Sequence, residues 1–183
     1  MESTMQERPL LISLLTDYGM KVYPNSEVIT WEGDHARRAS FETVGKRAHQ
    51  LANALKGLGI KPGDRVATFS MNHQEHVEAY LAVPSMGAVL HTLNVRLFPE
   101  QLEYIIKDAD DQIIIFDAVL APALARVKEH LGGVKHLVKV GQGDTSAFPD
   151  AIDYEDLIRG QSEEYEWPEF SEYEAASMCY TSG

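Results

Sequence analysis

From Arg65 to Val140 the chain alternates short apolar runs with amphipathic stretches, and this rhythm constrains the fold more than any other feature. Arg65 to Ser70, Ala88 to Thr92, Ile113 to Asp117 and His136 to Val140 read as strands. Between them, Gln74 to Met86, Pro99 to Asp108 and Pro122 to Leu131 carry helical spacing. Repeated βα units of this length favour a parallel sheet sandwiched by helices, with ligands at the carboxyl ends of the strands. The fold class is therefore α/β.

The flanks add smaller elements. Leu10, Leu11, Leu14, Leu15 and Tyr18 recur at helical spacing, which predicts an amphipathic helix over Pro9 to Gly19, with Pro9 in its first turn and Gly19 at its end. Val28 to Trp31 and Ala36 to Ala39 flank a Gly33-Asp34 turn and predict a small antiparallel hairpin. A helix then starts at Ser40, with Val44, Ala48, Leu51, Ala52 and Leu55 on its apolar face and Gly59 and Pro62 to stop it. Tyr154 to Arg159 reads as a short helix and Ala175 to Tyr180 as a buried strand. Gly141 to Asp150 and Gln161 to Glu174 are polar or acidic and broken by Gly or Pro, so they read as surface loops. The acidic aromatic run from Glu163 to Pro168 is expected to be a solvated loop pinned by its aromatic rings.

Bulk properties exclude several classes. A chain of 183 residues can form one domain that buries roughly 70% of its unfolded surface. The net charge of -12 is spread through the sequence and excludes a nucleic-acid partner, since phosphate-backbone affinity needs clustered Lys and Arg. The single cysteine, Cys179, rules out an internal disulfide framework and points to the cytoplasm. The N-terminus has acids where a secretory leader has bases, and the longest mainly apolar stretch, Tyr80 to Leu93, is shorter than the roughly 20 residues a transmembrane segment needs.

Few residues invite chemistry. His73 and His76, three apart with Glu75 and Glu78 nearby, have a spacing that suits two metal ligands, but they match neither HExxH nor HxxEH, and hydrogen-bonding or capping histidines are the better reading. His91, at a strand end, reads as structural. Cys179 lacks a nearby base and reads as a packed thiol, and there is no GxSxG nucleophile turn. No catalytic or metal residue is assigned. Arg96 follows a strand directly and precedes the Pro99 helix, so its guanidinium sits at the sheet rim, either forked onto phosphate or paired with a local acid. The last residues, Tyr180-Thr181-Ser182-Gly183, read as the opening of a loop whose backbone N–H groups grip phosphate.

The stretches LGIKPGDRVATFSMNHQEHVEAYLAVPSMGAVLHTLNVRLFPEQLEYII, DADDQIIIFD and the terminal YTSG together resemble the acyl-adenylate-forming enzymes. Within that group, HVEAYLAVPSMGAVLHTLNVRL is most similar to bacterial medium- and long-chain fatty acid–CoA ligases. The resemblance implies that residues 1–183 are the N-terminal portion of a large adenylation domain, ending inside its phosphate loop, with the catalytic motifs downstream. It implies a reaction in which a fatty carboxylate attacks the α-phosphorus of ATP to give acyl-AMP and pyrophosphate, after which the CoA thiol displaces AMP. ATP, magnesium and CoA serve the parent enzyme, which forms a homodimer. Thr181, Ser182 and Gly183 match the family's ATP-phosphate contacts, and Arg96 matches the arginine that meets a CoA nucleotide phosphate. The isolated chain is expected to be inactive. A non-catalytic assembly module and a fragment of an aryl-CoA ligase are the alternatives.

Overall fold

The computed structural model describes Thr4 and residues 8–181. Six strands form one parallel sheet in the order β7-β6-β5-β3-β4-β8: β3 (Arg65–Phe69), β4 (Val89–Thr92), β5 (Asp111–Asp117), β6 (His136–Val140), β7 (Ile152–Asp153) and β8 (Ser177–Met178). A separate antiparallel hairpin joins β1 (Glu27–Trp31) to β2 (Ala36–Ser40).

Alternation along the strands splits the core into two layers. Val66, Leu90, Ile113, Ile115 and Val138 face α2 (Phe41–Gly57), α3 (Gln74–Ser85) and α6 (Tyr154–Ile158). Ala67, Phe69, Ile114 and Phe116 face α4 (Pro99–Ala109), the short α5 (Ala121–Leu124) and the residues after it. All of β5 is buried, as a central strand covered on both faces must be, which is why its middle, Ile113 to Phe116, reads as an unbroken apolar run.

Local chemistry sets the helix ends. Ser40 caps α2 by accepting the Thr43 N–H at 3.1 Å. At the other end Gly59 takes φ +88° and the Ile60 N–H returns to the Leu55 carbonyl at 3.1 Å, the C-terminal lock that a left-handed glycine permits.

Three sequence expectations need correction. The first helix, α1, spans Ile12–Val22, so Pro9 precedes it and Gly19 lies inside it. Its buried residues are Ser13 and Thr16, whereas Leu15 and Tyr18 are exposed. Gly19 serves packing, since a Cβ there would stand 3.2 Å from the Phe41 ring. The expected helix over Pro122 to Leu131 is α5 followed by a 3-10 segment, Ala125–His130, because a period of three and one of 3.6 both place Leu124 and Val127 on nearly the same face. The terminal strand shrinks to Ser177–Met178, and residues 171–177 and Cys179 are exposed, because β8 is an edge strand paired only with β4.

The acidic aromatic run is pinned as expected. Trp167 stacks on His49 and Tyr165 at centroid distances of 4.7 and 4.8 Å, and the Asn53 amide donates to the carbonyls of Ser162 and Glu164.

Candidate nucleotide-facing site

Strand order changes direction between β3 and β5, and the crevice at their carboxyl ends is the place where open α/β sheets commonly bind ligands. A cavity of about 670 Å³ opens there, lined by Trp31, Arg37, His73, Glu75, Asp117 and Tyr154 among others. Its charges are already spent on one another. The Asp117 carboxylate accepts from the Ser70 hydroxyl at 2.7 Å and the Met71 N–H at 2.8 Å, and pairs with His73 Nε2 at 2.7 Å. His73 Nδ1 lies 2.8 Å from Glu75, which also accepts from Arg37 at 2.9 Å. Arg37 completes its donors on Glu32 and Gln74.

Two carboxylates beside one ring overcome burial and raise the His73 pKa to about 9. The ring is therefore an imidazolium that donates to both acids, and its contact with the His76 N–H at 3.3 Å is secondary. Glu75 is held near 2 and Asp117 below the usual carboxylate range by the same contacts, against the opposing effect of burial. His76 bonds Thr68 Oγ1 and the Met71 carbonyl, both at 3.0 Å. The hydrogen-bonding reading of both histidines holds. Among the described residues no group of three or more His, Cys, Asp or Glu converges to hold a metal ion. Sequence analysis weighed Glu75 only as a neighbour of His73 and His76, and gave Arg37 and Asp117 no role at a site; the usable signal was an aspartate closing a wholly buried strand.

The second rim lies at the ends of β4 and β8, which run side by side with Leu90 opposite Ser177 and His91 opposite Met178. Beyond β4, Asn94 Oδ1 accepts the Arg96 N–H at 3.0 Å and shapes the turn that presents Arg96 to solvent. Among the described residues no carboxylate lies within 4.0 Å of its guanidinium, so the salt-bridge reading is not realised. Beyond β8, Thr181 is exposed. Ser182 and Gly183 lie outside the described residues. An apolar groove of about 390 Å³ runs between Leu97, Gln101, Tyr104 and Ile105 on one side and Tyr180 and Thr181 on the other.

An uncommitted arginine and a small hydroxyl residue, following neighbouring parallel strands, suit an anion. The larger crevice, whose cations are all paired, does not. Thr181 and Arg96 are thus compatible with nucleotide phosphate, whereas nothing described suits magnesium. His91 sits below this rim, fully buried, with Nδ1 2.9 Å from both oxygens of Asp111.

The AMP-binding enzyme family matches residues 17–183, and the chain belongs to that family. Within it the similarity runs to acid–CoA ligases. A 3-methylmercaptopropionyl-CoA ligase of Ruegeria lacuscaerulensis is 39% identical over 98% of this chain, and a medium-chain-fatty-acid–CoA ligase of Ectopseudomonas oleovorans is 37% identical over 98%. The chain spans about a third of each, 34%. The crystal structure of an anthranilate CoA ligase in complex with anthranoyl-AMP superposes with a TM-score of 0.87 over all of this chain and 34% of the other, at 24% identity, which establishes the shared fold. The α/β architecture and hairpin match the N-terminal part of that enzyme's large domain. No described helix is long and apolar enough to cross a membrane.

Proposed function

We propose that these residues are the N-terminal portion of the large adenylation domain of a cytoplasmic, homodimeric fatty acid–CoA ligase. The parent enzyme activates a medium- or long-chain fatty acid with ATP and magnesium and transfers the acyl group to CoA. The observation that carries this reading is the β4–β8 pairing: β4 leads to Arg96, which has no acidic partner among the described residues, and β8 leads to Thr181. When bound, a nucleotide triphosphate supplies the electrophilic phosphorus. This chain's part is to bind and orient: Thr181, with Ser182 and Gly183 after it, offers donors to phosphate, and Arg96 offers a planar fork to the CoA nucleotide. The exposed apolar residues of α1, Leu15, Tyr18 and Val22, favour pairing of two copies.

The parent protein, expressed from the uninterrupted gene, is expected to catalyse acid-dependent exchange of pyrophosphate into ATP with octanoate or palmitate. The isolated 183 residues are expected to form no acyl-AMP, since losing even one preorganised donor costs on the order of 10²- to 10³-fold. Preference for benzoate would instead establish an aryl-CoA ligase. The 39% identity to the Ruegeria enzyme favours 3-methylmercaptopropionate as the second acid to assay. Activity of the isolated chain, or none in the parent with any of the four acids, overturns the reading.

Arg96→Ala in the parent is expected to raise KM for CoA about tenfold, the worth of one charge-assisted contact, with KM for ATP unchanged. An unchanged KM for CoA removes Arg96 from the site.

A further inference from the structure

Two residue pairs join β8 to the sheet, which is too little to fix the residues beyond it. Side chains supply the missing support. The Tyr180 hydroxyl donates to Asp108 Oδ2 at 2.6 Å, while its ring lies 5.4 Å from the His91 ring and 6.5 Å, edge-on, from Tyr104.

Both acids beneath this ring come from one turn. Asp110 adopts φ +54° and ends α4, leaving Asp108 in the last helical turn and Asp111 at the start of β5. Arg65 clamps the turn to β3 through the carbonyls of Ala109 and Asp110 and the Asp110 carboxylate. The arrangement is costly in local terms. A carboxylate in the last turn of a helix opposes the helix dipole, and His91 Nε2 is buried with no hydrogen-bond partner. Burial also pushes the Asp111 carboxyl up despite its His91 partner. Charges kept where they oppose stability mark a demand other than stability.

We propose that Asp108 is a positioning residue: through the Tyr180 hydroxyl it holds the segment leading to Thr181 against α4, with the His91–Asp111 pair supporting the ring from below, so that Thr181 is held where it offers its donors to the ATP phosphates. This rests on the adenylation reading above and extends it to residues that touch no substrate. The bond to Asp108 also pushes the Tyr180 pKa up to about 12, so the hydroxyl stays a donor throughout the working range.

The test has two arms. In the parent enzyme, Tyr180→Phe keeps the ring and removes only the hydroxyl, and Asp108→Ala removes the acceptor. Each is expected to raise KM for ATP about tenfold with KM for the fatty acid within twofold, and Asp108→Asn, which still accepts, to restore most of the loss. An unchanged KM for ATP, or Asp108→Asn no better than Asp108→Ala, overturns the proposal. In the 183-residue chain, the NMR order parameter of the Thr181 amide is expected to fall from near 0.85 to below about 0.6 in Tyr180→Phe, with Ile114 unchanged. No change at Thr181 also overturns it. A fall at Thr181 beside a parent with no acid-dependent exchange leaves the clasp standing and rejects its nucleotide role together with the adenylation reading.

Discussion

Glu78→Ala is expected to destabilise the chain by about 3–5 kcal/mol, the usual cost of removing one partner from a buried ion pair. Glu78 is fully buried at the centre of three helices. One oxygen accepts Arg47 Nε at 2.6 Å and Gln74 Nε2 at 2.8 Å, and the other accepts the Tyr154 hydroxyl at 2.7 Å. Arg47 also grips Glu155 with both terminal nitrogens, so α2, α3 and α6 meet at a single carboxylate. Burial raises the Glu78 pKa even against these partners, so much of the Coulomb gain goes to offset desolvation. Truncation leaves the wholly buried Tyr154 hydroxyl without an acceptor and Arg47 with only its outer partner. Thermal unfolding followed by circular dichroism should show the midpoint falling by roughly 10 °C. A fall of under about 3 °C would show that water or rearrangement replaces the carboxylate. Converting Glu78 and Arg47 together to methionine should recover the part of the loss that comes from the unpaired guanidinium, but not the part that comes from the Tyr154 hydroxyl.

The second large effect depends on pH. His73 is protonated more readily when folded, with a pKa of about 9 against 6.5, so the stability it contributes is fully present below pH 6.5 and is lost as pH rises through 9. The amount is on the order of 3 kcal/mol. Glu75 and Asp117 act in the opposite sense: their pKa values are depressed, Glu75 from 4.5 to about 2, so their contribution is present above pH 4.5 and lost as pH falls through the folded values. Stability from this cluster should therefore be greatest between about pH 4.5 and 6.5. Arg37, behind Glu75, is the cation facing the cluster, while burial lowers the pKa of the His76 ring, 6.3 Å away, and keeps it neutral above pH 6.5. Urea denaturation of wild type and His73→Gln across pH 5 to 10 isolates the effect, with the difference expected to shrink steadily above pH 6.5. A constant difference would mean that His73 stays neutral.

The sheet and its helices were legible because burial on both faces leaves runs such as Ile113 to Phe116 with only one plausible use, and because Ser40 and Gly59 mark helix ends by their own chemistry. Periodicity failed at α1 for a physical reason. It reports that one face of a helix is apolar, whereas the core took Ser13 and Thr16, and Met20 entered a space that Gly45 leaves open on α2. Arg96 could be placed at the rim from its position between a strand and a proline-started helix, yet only the structure shows that no described carboxylate pairs with it. Asp108, Asp111 and Tyr180 were visible inside quoted stretches, but their meeting joins residues seventy-two positions apart, which no local pattern encodes.

The lone junction of β8 with β4 also bears on how the molecule assembles. The chain between Leu90 and Ser177 includes three strands of the sheet, β5, β6 and β7. Closing so long a loop costs entropy that grows slowly with length and is repaid here by only two strand positions. The strand leading to Thr181 is thus expected to be the last of the six described strands to dock, after the layers around β5 have condensed. Among the six strands described, the scaffold around β5 can form before β8 is added, which keeps the least self-sufficient segment from competing for partners while the core is still forming.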